Sequence, residues 1–191
     1  MSVRAYIDTN KDRFLDELFS LIRIPSISAK PENKPEMIRC AERWKELLLQ
    51  SGADHAEVMS TPGNPVVYAE KKISPEAPTV LVYGHYDVMP AEPLELWNSE
   101  PFEPVVKEGR IWARGADDDK GQSMMQVKGF EIAVREGLLH CNVKFILEGE
   151  EEIGSESLGD FVKTHHDLLR ADVILVSDTS MVSDATPSLT T

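Results

Sequence analysis

Three apolar runs in this chain end in residues that a buried strand end seldom carries: LVYGHYD at 81–87, VKFILEGEEE at 143–152 and VILVSD at 173–178. Burying an imidazole or a carboxylate without a partner is costly, so three such endings in one chain need a common explanation. In open α/β sheets the ligand crevice lies beyond the carboxyl ends of the strands, which is where these groups fall. The pattern predicts an α/β sheet whose strand ends converge on one chemically active edge.

The rest of the chain supplies the helices and further strands such a sheet needs. Residues 4–23 and 34–51 carry apolar side chains at helical spacing, the second closed by Gly52. Between them RIPSISAKPENKP, with its prolines and serines, reads as a loop. The period then shortens to strand spacing in HAEVMS, NPVVYAEK and PTVLVYGH. A proline-rich loop over 89–104 follows, and PVVKEGRIWARG reads as a hairpin turning at Glu108 and Gly109. A helix over 120–136 ended by Gly137, a strand in CNVKFILEGE, a helix over 156–169 and a strand in ADVILVSD complete the pass. Ser155 with Glu156 reads as a capping box for the helix at 156–169. The expected architecture is α/β, a three-layer sandwich around a mostly parallel mixed sheet with its central strands buried on both faces. The 191 residues make one domain, or one piece of a larger one.

Composition excludes several classes of partner. With 20 basic against 33 acidic residues the formal charge is −13, the wrong sign for nucleic acid or an anionic membrane surface. No apolar stretch approaches the ~18 residues of a membrane span, and the N-terminus has no signal-peptide pattern, so a cytoplasmic location is expected. Cys40 and Cys141 lack metal-type spacing and are expected as two buried free thiols.

Excess acid also has a local meaning, because gathered carboxylates are cation ligands. His85 and Asp87 stand two apart on a strand end, where the carboxylate can fix the imidazole while the other ring nitrogen binds a metal. In ARGADDDKGQ, one or two of the three aspartates fit helix capping. One of them can instead bridge two cations about 3.5 to 4 Å apart. In LEGEEEIGSES, Glu150, Glu151 and Glu152 would repel unless a proton or cation intervened, and neighbouring acids can divide metal binding from proton transfer. Asp178 is the last ligand-type group to fall at a strand end. His55, His140, His165 and His166 have no acidic partner at ligand spacing and read as surface residues.

In order along the chain, GHYDVMP, Trp97, Pro101 and Phe102, RGADDDKG, EGEEEIGS and VSD resemble the dinuclear zinc peptidase and amidohydrolase family. That family includes carnosine-type dipeptidases, glutamate carboxypeptidases, acetylornithine deacetylase and succinyl-diaminopimelate desuccinylase. The resemblance implies that His85, Asp118 and Asp178 ligate one zinc, that Asp118 bridges to a second zinc held by Glu152, and that Asp87 clamps His85. Glu151 is implied as the general base, and a cis peptide is implied after Asp118. Zinc is likewise implied, where carboxylate spacing alone leaves Mn2+ or Co2+ open.

Members of that family are about twice this length, with a lid domain that makes a homodimer and a final zinc-binding histidine near the C-terminus. Residues 1–191 would then be the N-terminal segment of the catalytic domain, without the lid and without the last ligand of the second site. An edge of the sheet would be left exposed, and the chain alone would be inactive. The expected substrate is a small peptide, with an N-acyl amino acid as the deacylase alternative. A noncatalytic metal-binding protein on the same scaffold is the reading from another class.

Overall fold

The computed structural model describes residues 2–183, 185, 186 and 188. In chain order the elements are α1 (Val3–Ile22), α2 (Lys34–Gln50), β1 (His55–Met59), β2 (Val66–Lys71), β3 (Thr79–His85), β4 (Val105–Lys107) and β5 (Arg110–Trp112). They continue with α3 (Lys120–Arg135), β6 (Asn142–Glu148), α4 (Leu158–Thr164), α5 (His166–Leu169) and β7 (Val173–Val176). Gly52 and Gly137 take positive φ just past α2 and α3, the conformation that ends a helix at low steric cost. Glu108 and Gly109 both take positive φ between β4 and β5, so the hairpin turns where the sequence placed it.

Five strands form one mixed sheet in the order β1-β2-β6-β3-β7. β3 runs parallel to both β6 and β7, while β2 is antiparallel to β1 and β6, so parallel pairing is confined to the two neighbours of β3. The register sets His85 opposite Glu148, and the carboxyl ends of β3, β6 and β7 leave the sheet along the same edge.

The strand period of two divides the core into layers. Val67, Ala69, Val82, Phe145 and Leu147 meet α1, α2 and α3 through residues such as Leu21, Trp44 and Val127. Val66, Tyr68, Leu81 and Ile146 face the other way, onto Phe161 and Leu169 of α4 and α5. The sandwich therefore has its three expected layers. β7 belongs to neither cluster; its four apolar residues are exposed along the sheet edge. None of the described helices is long and apolar enough to cross a membrane.

Some local expectations are corrected. The helix expected over 156–169 is two helices, because His165 leaves helical geometry and its Nδ1 hydrogen-bonds the Phe161 carbonyl at 2.9 Å. His165 is accordingly half-buried, stacked on Phe161. Ser155 does not cap a helix: it sits at φ 53 and donates to Glu148 Oε1 at 2.9 Å. Cys40 is buried, but Cys141 is only half-buried; both are free.

Gly84 lets the start of α3 approach the site strand. A Cβ there would lie 2.1 Å from Ser123 Oγ and 2.8 Å from Asp119 Oδ2. Gly84→Ala is expected to cost about 2 kcal/mol as overpacking, read as a Tm drop of roughly 5 °C for a chain of this size. An unchanged melting curve would contradict close packing here.

Candidate metal centre

The site is built where β3 runs out. His85 is fully buried, and the following residues pass under the loop after α1: Ser26 Oγ donates to the Tyr86 carbonyl at 2.7 Å, and Val88 N donates back to the Ser26 carbonyl at 2.9 Å. Asp87, also fully buried, lies with Oδ1 3.2 Å from His85 Nδ1. Its carboxylate also accepts Ser28 Oγ at 2.6 Å, Glu151 N at 3.2 Å and Glu152 N at 3.1 Å. Asp87 thus fixes the imidazole from behind and the backbone of the paired glutamates from beneath.

With Nδ1 engaged, His85 Nε2 points to the open side. Asp118 Oδ1 stands 3.1 Å from it, Asp178 Oδ2 3.6 Å and Glu151 Oε2 3.9 Å. His85, Asp118 and Asp178 each offer an atom within 4.8 Å of the others, a spacing that could hold one cation. Glu151 is partly open to solvent beside them. Glu152 lies outside this cluster, and its Oε1 accepts Met89 N at 3.1 Å.

The electrostatics are those of several carboxylates gathered around one imidazole. Burial by itself would lower the His85 pKa, but the bond to Asp87 and the carboxylates of Asp87, Asp119 and Asp118 outweigh it and push it up to about 10. Burial first, then Asp118, raises the Glu152 pKa. One imidazole and several carboxylates suit a divalent cation of borderline softness, and the residues present fit one.

Asp119 escaped the sequence reading. It occupies the residue before α3 but does not cap it; Oδ2 instead turns to β3, accepting His85 N at 3.1 Å and Ser123 Oγ at 2.6 Å. Burial pushes its pKa up to about 6 against those two bonds and the His85 charge. Ser123, four residues on, was the available signal. Asp117 is exposed, and the Asp118–Asp119 peptide is cis. Ser28 gave no signal in its proline-rich loop. Lys120 is fully buried and donates to the carbonyls of Leu21 at 3.0 Å and Ile24 at 2.8 Å, tying this turn to the end of α1.

Known proteins resemble this chain in sequence and in fold. A cysteinylglycine-S-conjugate dipeptidase of Corynebacterium striatum is 32% identical over 191 residues, covering 100% of this chain and 42% of the relative. The crystal structure of human carnosine dipeptidase 1 superposes with a TM-score of 0.86 at 30% identity, covering 94% of this chain and 41% of that one. An M20 family metallo-carboxypeptidase from Sulfolobus solfataricus gives a TM-score of 0.82 at 36% identity, covering 88% and 38%. This chain therefore spans about two fifths of the length of these relatives. Residues 81–188, more than half of the chain and the part that carries every candidate ligand, match the peptidase family M20/M25/M40, and the chain belongs to that family.

Proposed function

We propose that His85, Asp118 and Asp178 hold a zinc ion, and that the protein to which these residues belong hydrolyses dipeptides. The observation that carries this is the convergence of two carboxylates on His85 Nε2 while Asp87 holds Nδ1, with Glu151 alongside. The names of the relatives favour a peptide over an N-acyl amino acid.

Bound zinc would supply Lewis acidity, lowering the pKa of water and polarising an amide carbonyl. The protein's own part is positional and protolytic. Asp87 would keep the Nδ1 proton in place while a cation displaced the one on Nε2, leaving the Nε2 lone pair to face the ligand cluster. Glu151 Oε2 takes a proton from water and returns it to the departing amine, a general base that becomes a general acid. Glu152, with Asp118, is the natural holder of a second cation, as the family resemblance implies. A cytoplasmic setting agrees with the free thiols, and a homodimer through a lid domain is the assembly the resemblance implies.

The test is chelator-sensitive dipeptide hydrolysis, assayed on the 191-residue chain, which is expected to be inactive alone, and on the longest product of its reading frame. Activity restored by Zn2+, and lowered about 10³-fold or more by Glu151→Gln, is expected; a proton carrier contributes about 10² to 10⁴. Hydrolysis by neither product, or full activity in Glu151→Gln, overturns the proposal.

A further inference from the structure

Three consecutive glutamates follow β6, and they do not point the same way. Glu151 and Glu152 are partly open beside the cluster, whereas Glu150 is buried at 5% exposure. Its Oε1 accepts Asn64 N at 2.8 Å and its Oε2 accepts Ser157 N at 2.8 Å. The same residue's carbonyl accepts Ile153 N at 3.1 Å and Ser155 N at 2.7 Å. No ion pair to Glu150 occurs among the described residues, so backbone N–H groups from two separate segments are what answer its charge.

We propose that Glu150 is a positioning residue for Glu151 and Glu152, clamping the turn that carries them to the loop at 61–64. This rests on the metallohydrolase reading above for its purpose. Asp87 grips the amides of Glu151 and Glu152 from within the site, and Glu150 grips the same turn from outside. Both oxygens face donors, so an acid is required: glutamine would set its NH2 against one of the two N–H groups. The loop at 61–64 is shaped to receive that acid. Thr61 Oγ1 donates to the Asn64 carbonyl at 2.7 Å and accepts Gly63 N at 3.1 Å, while Asn64 Nδ2 donates to the Gly149 carbonyl at 2.9 Å. Gly63 makes room, since a Cβ there would fall 1.5 Å from Glu150 Oε1. The clamp can thus be loosened from either side, by Glu150→Gln or by Gly63→Ala.

The experiment combines hydrogen exchange by mass spectrometry with Co2+ titration on the 191-residue chain and both variants. In each variant the peptides over 150–157 are expected to exchange at least about tenfold faster, with those over 80–84 and 143–147 unchanged. Because Asp87 holds His85 Nδ1 and is itself held by the amides of Glu151 and Glu152, loosening the turn should lower Co2+ affinity about tenfold, the lower end for residues that orient ligands, with an altered visible spectrum. The double variant should be no worse than either single one, because both break the same contact. Wild-type exchange over 150–157, or additive losses in the double variant, overturns the clamp. Faster exchange with unchanged Co2+ affinity and spectrum makes it merely structural and overturns the positioning role. Should the unsubstituted chain bind no Co2+, the metal reading fails on its own, and the exchange data still decide whether Glu150 holds the turn. If Glu150→Gln does not fold, Gly63→Ala carries the same comparison with the acid intact.

Discussion

His85→Ala is expected to abolish tight zinc binding, with a loss of more than about 100-fold in affinity, because it removes the one nitrogen from a set otherwise made of carboxylates. Removing a group that merely orients a metal ligand costs about 10- to 100-fold, and His85 is itself the atom on which Asp118 and Asp178 converge. The effect should depend on the metal. Imidazole suits zinc, whereas oxygen ligands suit Mg2+ and Ca2+, so weak binding of the hard cations should survive while zinc binding collapses. Asp87→Asn is the graded companion: the ring stays but loses its clamp, and an intermediate loss is expected. Competition against a chromophoric chelator reads both variants, with thermal unfolding as the control for folding. Zinc affinity unchanged in His85→Ala would remove this cluster from consideration as the metal centre.

Much of this site could be read before any coordinates, and the reason is chemical. His85 and Asp178 stood out because apolar strands do not normally end in such groups, the period of two on β3 already paired His85 with Asp87, and Asp118 was singled out from its run of three only by the family resemblance. Strand positions were legible where Val, Ile and Tyr alternate between turn residues, and the β4–β5 hairpin was legible from Glu108 and Gly109. Sheet order was not. β6 inserts between β2 and β3, and that placement depends on long-range pairing to which no local pattern points. The antiparallel half of the sheet escaped for the same reason.

Roles within runs of identical acids were the least legible. Asp117, Asp118 and Asp119 differ only in where the backbone aims them: outward to solvent, across to His85 Nε2, or inward to the His85 amide. A capping aspartate and a bracing one look alike in sequence, since both precede a helix. Glu150, Glu151 and Glu152 pose the same problem at the end of β6, where one short turn sends one side chain into the protein and leaves two at the surface. Ser155 misled as a capping residue because its hydroxyl had a stronger buried partner in Glu148.

The largest stability effect is expected far from the metal centre, at Glu131. Its carboxylate is buried among three helices. Arg13 and Tyr6 of α1 bond to it, Lys128 of α3 donates to Oε2 at 2.8 Å, and Ser51 at the end of α2 donates to the same oxygen at 3.3 Å. Glu131→Ala leaves Lys128, itself buried, with Glu17 as its remaining carboxylate partner. Breaking a buried ion pair from one side costs about 3 to 5 kcal/mol, a Tm drop of roughly 10 °C here. The pH dependence follows with a definite sign. Burial would raise the Glu131 pKa, but Arg13 and Lys128 outweigh it and bring it from 4.5 down to about 2. A carboxyl whose folded pKa is depressed contributes stability that is fully present above the unfolded value and is lost as the pH falls through 4.5 toward 2. Urea midpoints measured from pH 6 to pH 2 should therefore fall more steeply for the unsubstituted chain than for Glu131→Gln, which cannot titrate at this position. Curves of equal slope would mean that the network holds no net charge stabilisation, and that α1, α2 and α3 are held by their apolar contacts alone.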